Sequence, residues 1–404
     1  MISKYPIKYK IEEDFIFNSS ISTPSIMKKA LLLQPKIHRL NYIGSKFKLL
    51  DWITENIKEK TCWASLANKT VADLFAGTGV VSYHFRTNLG GAPTTTTTTT
   101  TTPTVISNDA ELYSSIITHA FTRSVFSELT DRVITEMNKD IAENKHAAPG
   151  YITRHYSPFE GNERMFFTVE NARRIDYMRN KLESLRTDAP AAPAAPMTDD
   201  EYKFILASII LSADAVSNVP AVYGCFLKKF KAPAAKNLVL FPIHTITTRA
   251  NPGSMTYNCD VLDPAFLSGI DADMVYLDPP YNHRQYSKNY FPLNIIAKTP
   301  EQLTIEAPLK GKTGIPVDCF ISPFCKKGKP VEAAFETLFR ELKTKWIFLS
   351  YSSESIVPKE KMLELMGKYG DVEVVEQDYK RFKSFEYNED KAVLEYLFCL
   401  KKKA

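Results

Sequence analysis

The chain of 404 residues carries 51 Lys+Arg against 46 Asp+Glu, with 44% hydrophobic and 12% aromatic residues, a composition that excludes disorder as the main state and can fill a sizeable core. Its length allows two or three domains, or one core carrying a large insertion, and the second arrangement is expected. A net charge of +5 is too mild to establish a polyanionic partner, so where the charges fall matters more than their sum.

Residues 1–38 are mixed and weakly periodic, and an extension lying against the body is expected there. From Thr70 to Phe75 a short apolar strand is predicted, followed by a turn at Gly77 and Gly79 and a helix through Arg86. A second strand, Val105–Ser107, leads to Asn108-Asp109 and a helix starting near Glu111. Further apolar runs are Met274–Leu277, Trp346–Ser350, Val372–Val375 and Val393–Phe398. Strands alternating with helices predict an α/β sheet with ligands at the carboxyl ends of its strands.

Two stretches interrupt that rhythm. The threonine run Thr94–Thr102 suits a solvated loop, and residues 188–196, rich in Pro and Ala, suit a hinge inside an inserted helical region from about 140 to 255. The six cysteines are scattered without a Cys-x-x-Cys pair, so no metal is expected and free thiols in a reducing compartment are. The opening residues lack the pattern of a secretory leader, and no window holds the ~20 apolar residues of a membrane span.

Asp278-Pro279-Pro280-Tyr281 directly follows the apolar run Met274–Leu277. Two successive prolines hold the backbone extended and remove two amide donors, which leaves Asp278 and the carbonyl of Pro279 as acceptors at a pocket edge. Paired acceptors suit an amino group. An aromatic amine is a poor nucleophile, and bonds from both its protons to acceptors favour a pyramidal nitrogen and stabilise the positive charge that develops on it. Tyr281 would stack on the base. The plainer alternative is a proline-rich turn with Tyr281 packed in the core.

This motif resembles that of the amino-methylating DNA methyltransferases, in the Asp version typical of action on adenine. The longer segment Tyr281–Tyr290 is similar to the Dam-like adenine methyltransferases of restriction–modification systems, particularly the FokI type. That resemblance runs from residue 40 onward, leaves the first 38 residues uncovered and does not account for the threonine run. It implies a Rossmann-like S-adenosylmethionine-dependent sheet with an inserted, mainly helical target-recognition region. The catalytic domain would then be residues 39–140 and 255–404, with recognition in 141–254.

Asp73-Leu-Phe75-Ala-Gly77-Thr-Gly79 is a weak signal alone, since glycine turns are common, but glycines do let backbone approach a ligand closely. Beside the motif at 278 it resembles the family's S-adenosylmethionine loop. The resemblance implies that Asp109 accepts from the ribose hydroxyls and that Asp260 meets the adenine of the cofactor, although either could instead cap a helix. It also implies that Tyr42, Gly44 and Lys46 hold the methionine end, with Lys46 paired to a carboxylate; a surface lysine after a glycine turn is the alternative.

The acid-free stretch from Ala215 to Cys259 contains Lys228, Lys229, Lys231, Lys236 and Arg249. The acid-free flank from Tyr281 to Pro300 contains His283, Arg284, Lys288 and Lys298. Such clusters suit phosphates, or are simply solvated loops. Segments around Arg154, Arg164, Arg173 and Arg174, and Val222–Phe230, also resemble the family, whose order of cofactor loop, insertion and catalytic motif assigns recognition to the insertion. Arg154, Arg164, Arg173 and Arg174 are therefore candidate DNA contacts, while Arg173 and Arg174 could equally face solvent. Lys380, Arg381 and Lys383 are further candidates near the target base.

The expected activity is methyl transfer to N6 of adenine in double-stranded DNA, with the base flipped out of the stack. A monomer in a cytoplasmic, DNA-containing compartment is expected, with no membrane association; a cognate restriction endonuclease is a candidate partner whose existence the sequence leaves open. RNA adenine or the cytosine amino group are alternative acceptors, and a silent DNA-binding protein is the alternative from another class.

Overall fold

Short apolar runs bounded by turn residues become strands of one sheet in the computed structural model, which describes residues 40, 42–88, 102–124, 126–146, 148–187, 196–243, 252–304, 309–379 and 393–403. The amino-terminal extension, the threonine run up to Thr101, residues 188–195, Arg249, Lys380, Arg381 and Lys383 lie outside the described residues.

The strands are β1 (Thr70–Asp73), β2 (Thr104–Asn108), β3 (Met255–Tyr257), β4 (Met274–Leu277), β5 (Leu309–Lys310), β6 (Ile315–Pro316), β7 (Trp346–Ser352), β8 (Gly370–Tyr379) and β9 (Val393–Lys402). Seven of them form a sheet in the order β3-β2-β1-β4-β7-β9-β8, and β5 and β6 pair separately. Strands β3, β2, β1, β4 and β7 run parallel, whereas β9 is antiparallel to both β7 and β8. Registers such as Ala72↔Val275 and Tyr276↔Phe348 align the carboxyl ends of the central strands along one edge.

Both faces of the sheet are covered, as its uninterrupted apolar runs require. Val71, Met274, Tyr276 and Phe348 point to one side, against Ile53 and Ile57 of helix Leu50–Thr61 and Phe85 of helix Val80–Asn88. Ala72, Val275, Leu277 and Leu349 point to the other, against Phe335 and Leu338 of helix Lys329–Glu341 and Leu365 of helix Lys359–Gly367. This is the two-residue period of a strand read out in packing.

Among the described residues between β2 and β3 lie five α-helices: Leu112–Thr122, Glu128–Ala142, Tyr151–Tyr156, Val169–Thr187 and Asp199–Ala215. Ser127 and Thr198 start two of them with reciprocal capping boxes. Their apolar faces share one cluster with Tyr290, Phe291 and Leu293, which follow β4, while the two faces of the sheet pack into clusters of their own. Gly150 initiates helix Tyr151–Tyr156, where Asp176 accepts from the amides of Gly150, Ile152 and Thr153 at 3.0, 2.9 and 2.8 Å. Strand β3 and the β5–β6 hairpin were not anticipated, being three and two residues long and too short for a periodic signal.

Candidate active site

The edge formed by the carboxyl ends of β1, β2 and β4 opens into a pocket. It takes Tyr42, Gly44 and Lys46 from the segment before the first helix, Phe75 and Gly77 from the turn after β1, Asp109 after β2, Asp260 after β3, and Asp278 to Tyr281 after β4. Two other expected residues are placed behind it. Asp73 is buried and accepts from Ser82 Oγ at 2.7 Å. Gly79 has φ +74°, and a Cβ there would meet Thr118 Oγ1 at 2.8 Å and its Cα at 3.0 Å, so this glycine serves close packing onto helix Leu112–Thr122.

The turn after β1 is held by its neighbour strand. Ala76 N donates to Asn108 O at 2.9 Å, and Gly77 N donates to Asp109 Oδ2 at 2.7 Å. The side chain of Asn108 donates to Cys259 O at 3.2 Å and accepts from Cys259 N at 3.1 Å, which ties the ends of β2 and β3 together. Asp260 accepts from Leu262 N at 3.0 Å and is exposed at the pocket rim. A Cβ on Gly77, at φ +53°, would lie 2.8 Å from Tyr42 Oη, so the turn and the Tyr42 segment press directly on each other.

The segment that follows the motif holds that contact. Tyr290 Oη accepts from Ile43 N at 2.9 Å, Tyr286 Oη donates to Ile43 O at 3.2 Å, and the Tyr42 ring stacks on Tyr290 at 4.9 Å. Gly44, at φ +85°, leaves room for Tyr281, whose hydroxyl would be 3.0 Å from an added Cβ. Tyr281 lies edge-on to Tyr351 of β7 and accepts through its carbonyl from Ile356 N at 3.0 Å.

Lys46 is not on the surface. It is 2% exposed, and its Nζ lies 2.9 Å from Asp278 Oδ1. Burial alone would lower its pKa, but the carboxylates of Asp278 and Glu395 outweigh that and hold the ammonium protonated. Burial pushes the Asp278 carboxyl up, opposed by Lys46. Burial also raises Asp109, Asp73 to about 7 and Glu111 to about 8, the last with a contribution from neighbouring Asp109 and an opposing hydrogen bond from Asn294. The pocket is therefore rich in carboxyl groups whose burial favours a proton or a cationic ligand.

Glu111, Glu395, Tyr286 and Tyr290 were not assigned roles from sequence. Tyr286 and Tyr290 sit one helical turn apart, a spacing that could have marked a shared face; for the two glutamates no local pattern exists.

The candidate DNA-contacting residues fall into two groups. Arg154, Lys228, Lys229, Lys236, Arg284 and Lys288 are exposed. Tyr223 N donates to Asn289 O at 2.8 Å, which joins the Val222–Phe230 segment to the flank after the motif and brings the two acid-free stretches together. The rest are committed internally. Arg164 donates to Lys312 O and His155 O, each at 3.2 Å, and Lys231 Nζ donates to Val219 O at 2.7 Å. Arg173 is half-buried over the Phe159 ring, and Arg174, rather than facing solvent, is buried and donates to Glu170 and Leu238 O.

Elsewhere His119, Asp199 and Asp200 could offer three metal-ligand atoms, but Arg123 and Lys203 already pair with the two carboxylates at 3.0 and 2.8 Å. All six thiols are free. Among the described residues no helix is long and apolar enough to cross a membrane.

Comparison with known proteins identifies the family. Residues 42–365 match the family model of D12 class N6 adenine-specific DNA methyltransferases. The Type II methyltransferase M.CviAII of Paramecium bursaria Chlorella virus 1 is 37% identical over 362 residues, 90% of this chain and 98% of that protein. The Type II methyltransferase M.NlaIII of Neisseria lactamica is 34% identical over 367 residues, covering 90% and 99%. The Type II methyltransferase M.FokI of Planomicrobium okeanokoites is 31% identical, covering 90% of this chain and 53% of its own. No solved structure gives a significant match. The chain belongs to the D12 class N6 adenine-specific DNA methyltransferase family.

Proposed function

We propose that this DNA adenine methyltransferase takes its methyl group from S-adenosylmethionine and acts on an adenine flipped out of double-stranded DNA, with Asp278, Pro279, Pro280 and Tyr281 as its catalytic motif. The observation that carries the reading is that Asp278 shares one pocket with the Gly77 turn, Asp109 and Lys46. S-adenosylmethionine, when bound, supplies a methyl group already activated on a cationic sulfur, so no covalent nucleophile is required.

The donor set fits that cofactor. Its hydroxyls and cationic groups need acceptors, and Asp109, Asp260 and Glu111 line the pocket. Phe75, edge-on to Phe324 at 5.1 Å, offers an apolar wall. Tyr42, Gly44 and Lys46 close the side nearest Asp278. Asp73 and Gly79 act from behind by fixing the turn.

The chain's own work is acceptance and alignment. Asp278 and the Pro279 carbonyl accept the two protons of the adenine amino group, which exposes its lone pair and stabilises the developing positive charge. Tyr281, fixed by Ile356 and Tyr351, stacks on the extruded base. Residues 141–254 serve as the recognition region on a catalytic body of residues 39–140 and 255–404. Exposed Arg154, Lys228, Lys229, Arg284 and Lys288 meet phosphates, while Arg164, Arg173 and Lys231 shape the surface that presents them. Free thiols accord with a reducing, DNA-containing compartment such as the cytoplasm. A monomer suffices for this chemistry, and a cognate restriction endonuclease is the expected partner, given type II relatives.

The test is methyl transfer from labelled S-adenosylmethionine to unmethylated genomic DNA, with the product digested to nucleosides. Labelled N6-methyladenine from the wild type and none from Asp278→Ala is expected. Label in N4-methylcytosine, or in RNA alone, would overturn the acceptor.

A further inference from the structure

Three acceptors surround the buried ammonium of Lys46: Asp278 Oδ1 at 2.9 Å, Gly44 O at 3.3 Å and Glu395 Oε2 at 3.9 Å. An ammonium has three protons, so all three could be served, yet the third contact is left open. Glu395 is 4% exposed, and its Oε2 has no hydrogen-bond partner among the described residues. A buried carboxylate oxygen without a donor is costly. Its backbone cannot move to close the gap, because Glu395 pairs with Ser352 of β7 on one side and Gln377 of β8 on the other. The flexible stem of Lys46 can.

The engaged contact is the one that catalysis must loosen. While the ammonium sits on Asp278 Oδ1, that oxygen is committed and its negative potential is partly cancelled. Expelling Lys46 would strand a buried charge, whereas a displacement on the order of 1 Å would bring Nζ within hydrogen-bond range of Glu395.

We propose that Glu395 is a positioning residue that receives Lys46 when the target amino group arrives, freeing Asp278 Oδ1 to accept its proton. The cation remains in the site throughout and no covalent bond changes. With both carboxylates ionised, the trio carries one net negative charge, complementary to the charge developing on the amino nitrogen. The proposal rests on Asp278 being the acceptor.

The test measures single-turnover methylation of unmethylated genomic DNA with labelled S-adenosylmethionine, alongside cofactor and DNA affinities. Glu395→Gln preserves volume but weakens the berth, and a roughly tenfold slower turnover with both affinities within about twofold of wild type is expected. In a Lys46→Met background, Glu395→Gln should produce no further loss, because its partner is gone. Wild-type turnover in Glu395→Gln, or an undiminished loss in the Lys46→Met background, would overturn the berth. Should Glu395→Gln fail to fold, Glu395→Asp takes its place, with intermediate turnover supporting the proposal and wild-type turnover overturning it. A wild type that leaves adenine unlabelled overturns the acceptor reading and the berth together; a methylating wild type beside an unimpaired variant overturns the berth alone.

Discussion

Asp176 in the helical region and Asp73 beneath the pocket are 5% and 1% exposed, yet they are treated differently. Asp176 accepts from three backbone amides and from the Thr153 hydroxyl, at 2.6 to 3.0 Å. Asp73 accepts from Ser82 through one oxygen, while its Oδ1 has no hydrogen-bond partner among the described residues. Asn171 and Asn218 repeat the first pattern with both ends of their amides, the first clamping the backbone at Lys236 and Leu238, the second joining Met165, Leu227 and Lys231. Glu395 repeats the second. Asp176, Asn171 and Asn218 spend their polar atoms holding loops in place, whereas Asp73 and Glu395 each keep one oxygen without a hydrogen-bond partner among the described residues.

Substitutions on the two sides of this contrast should fail in different ways. The largest effect is expected at Asp278→Ala, which should slow methyl transfer about 10³-fold per folded molecule, beyond the stability lost by depriving the buried Lys46 ammonium of its nearest partner; wild-type activity per folded molecule would erase the distinction. Asp176→Ala should do the reverse, costing about 3 kcal/mol in denaturant unfolding by orphaning several donors, with activity per folded molecule retained.

Glu111 sharpens the comparison through pH. Its folded pKa is raised to about 8 by burial, so the folded state keeps a proton that the unfolded chain releases near the ordinary value of 4.5. Its contribution to stability is thus fully present at low pH and is lost as pH rises from about 4.5 through 8. Glu111→Gln should match wild type near pH 5 and exceed it by about 3 kcal/mol at pH 8, read from unfolding at both values. A parallel pH dependence in the two proteins would refute it.

The smallest effects belong to the surface. Removing the charge of exposed Lys228 or Lys229 should reduce the salt dependence of DNA binding by about one counterion each, with stability unaffected. Lys231→Gln, which breaks the bond to Val219 O, should lower stability instead and leave the salt slope alone.

Much of the fold was legible because β1, β2, β4, β7 and β9 are apolar runs that pack on both faces, and the motif at 278 announces itself through two prolines. Strand β3 was hidden because its residues are partly exposed and alternate with nothing. Within the site, ligand-facing turns were visible as glycines and aspartates after strands. Glu395 and Glu111 were not, since their significance lies in contacts made across the fold, as with the Ile43–Tyr290 bond between residues 247 positions apart. Arg174 misled because a basic residue in a helix looks the same in sequence whether it meets solvent or the carbonyl of Leu238.

Strand β9 has a further consequence for how the protein comes into being. Residues 393–402 occupy an interior position of the sheet, between β7 and β8, and carry Leu397, Phe398 and Leu400 into its core along with Glu395. During synthesis from the amino terminus, every other described strand of this sheet is made before this one. A nascent chain halted ahead of residue 393 would have its first strands and its methylation motif, but an unfilled slot in the sheet and no Glu395 beside Lys46. Methylation is therefore expected only once this strand has entered the sheet and brought Glu395 to Lys46.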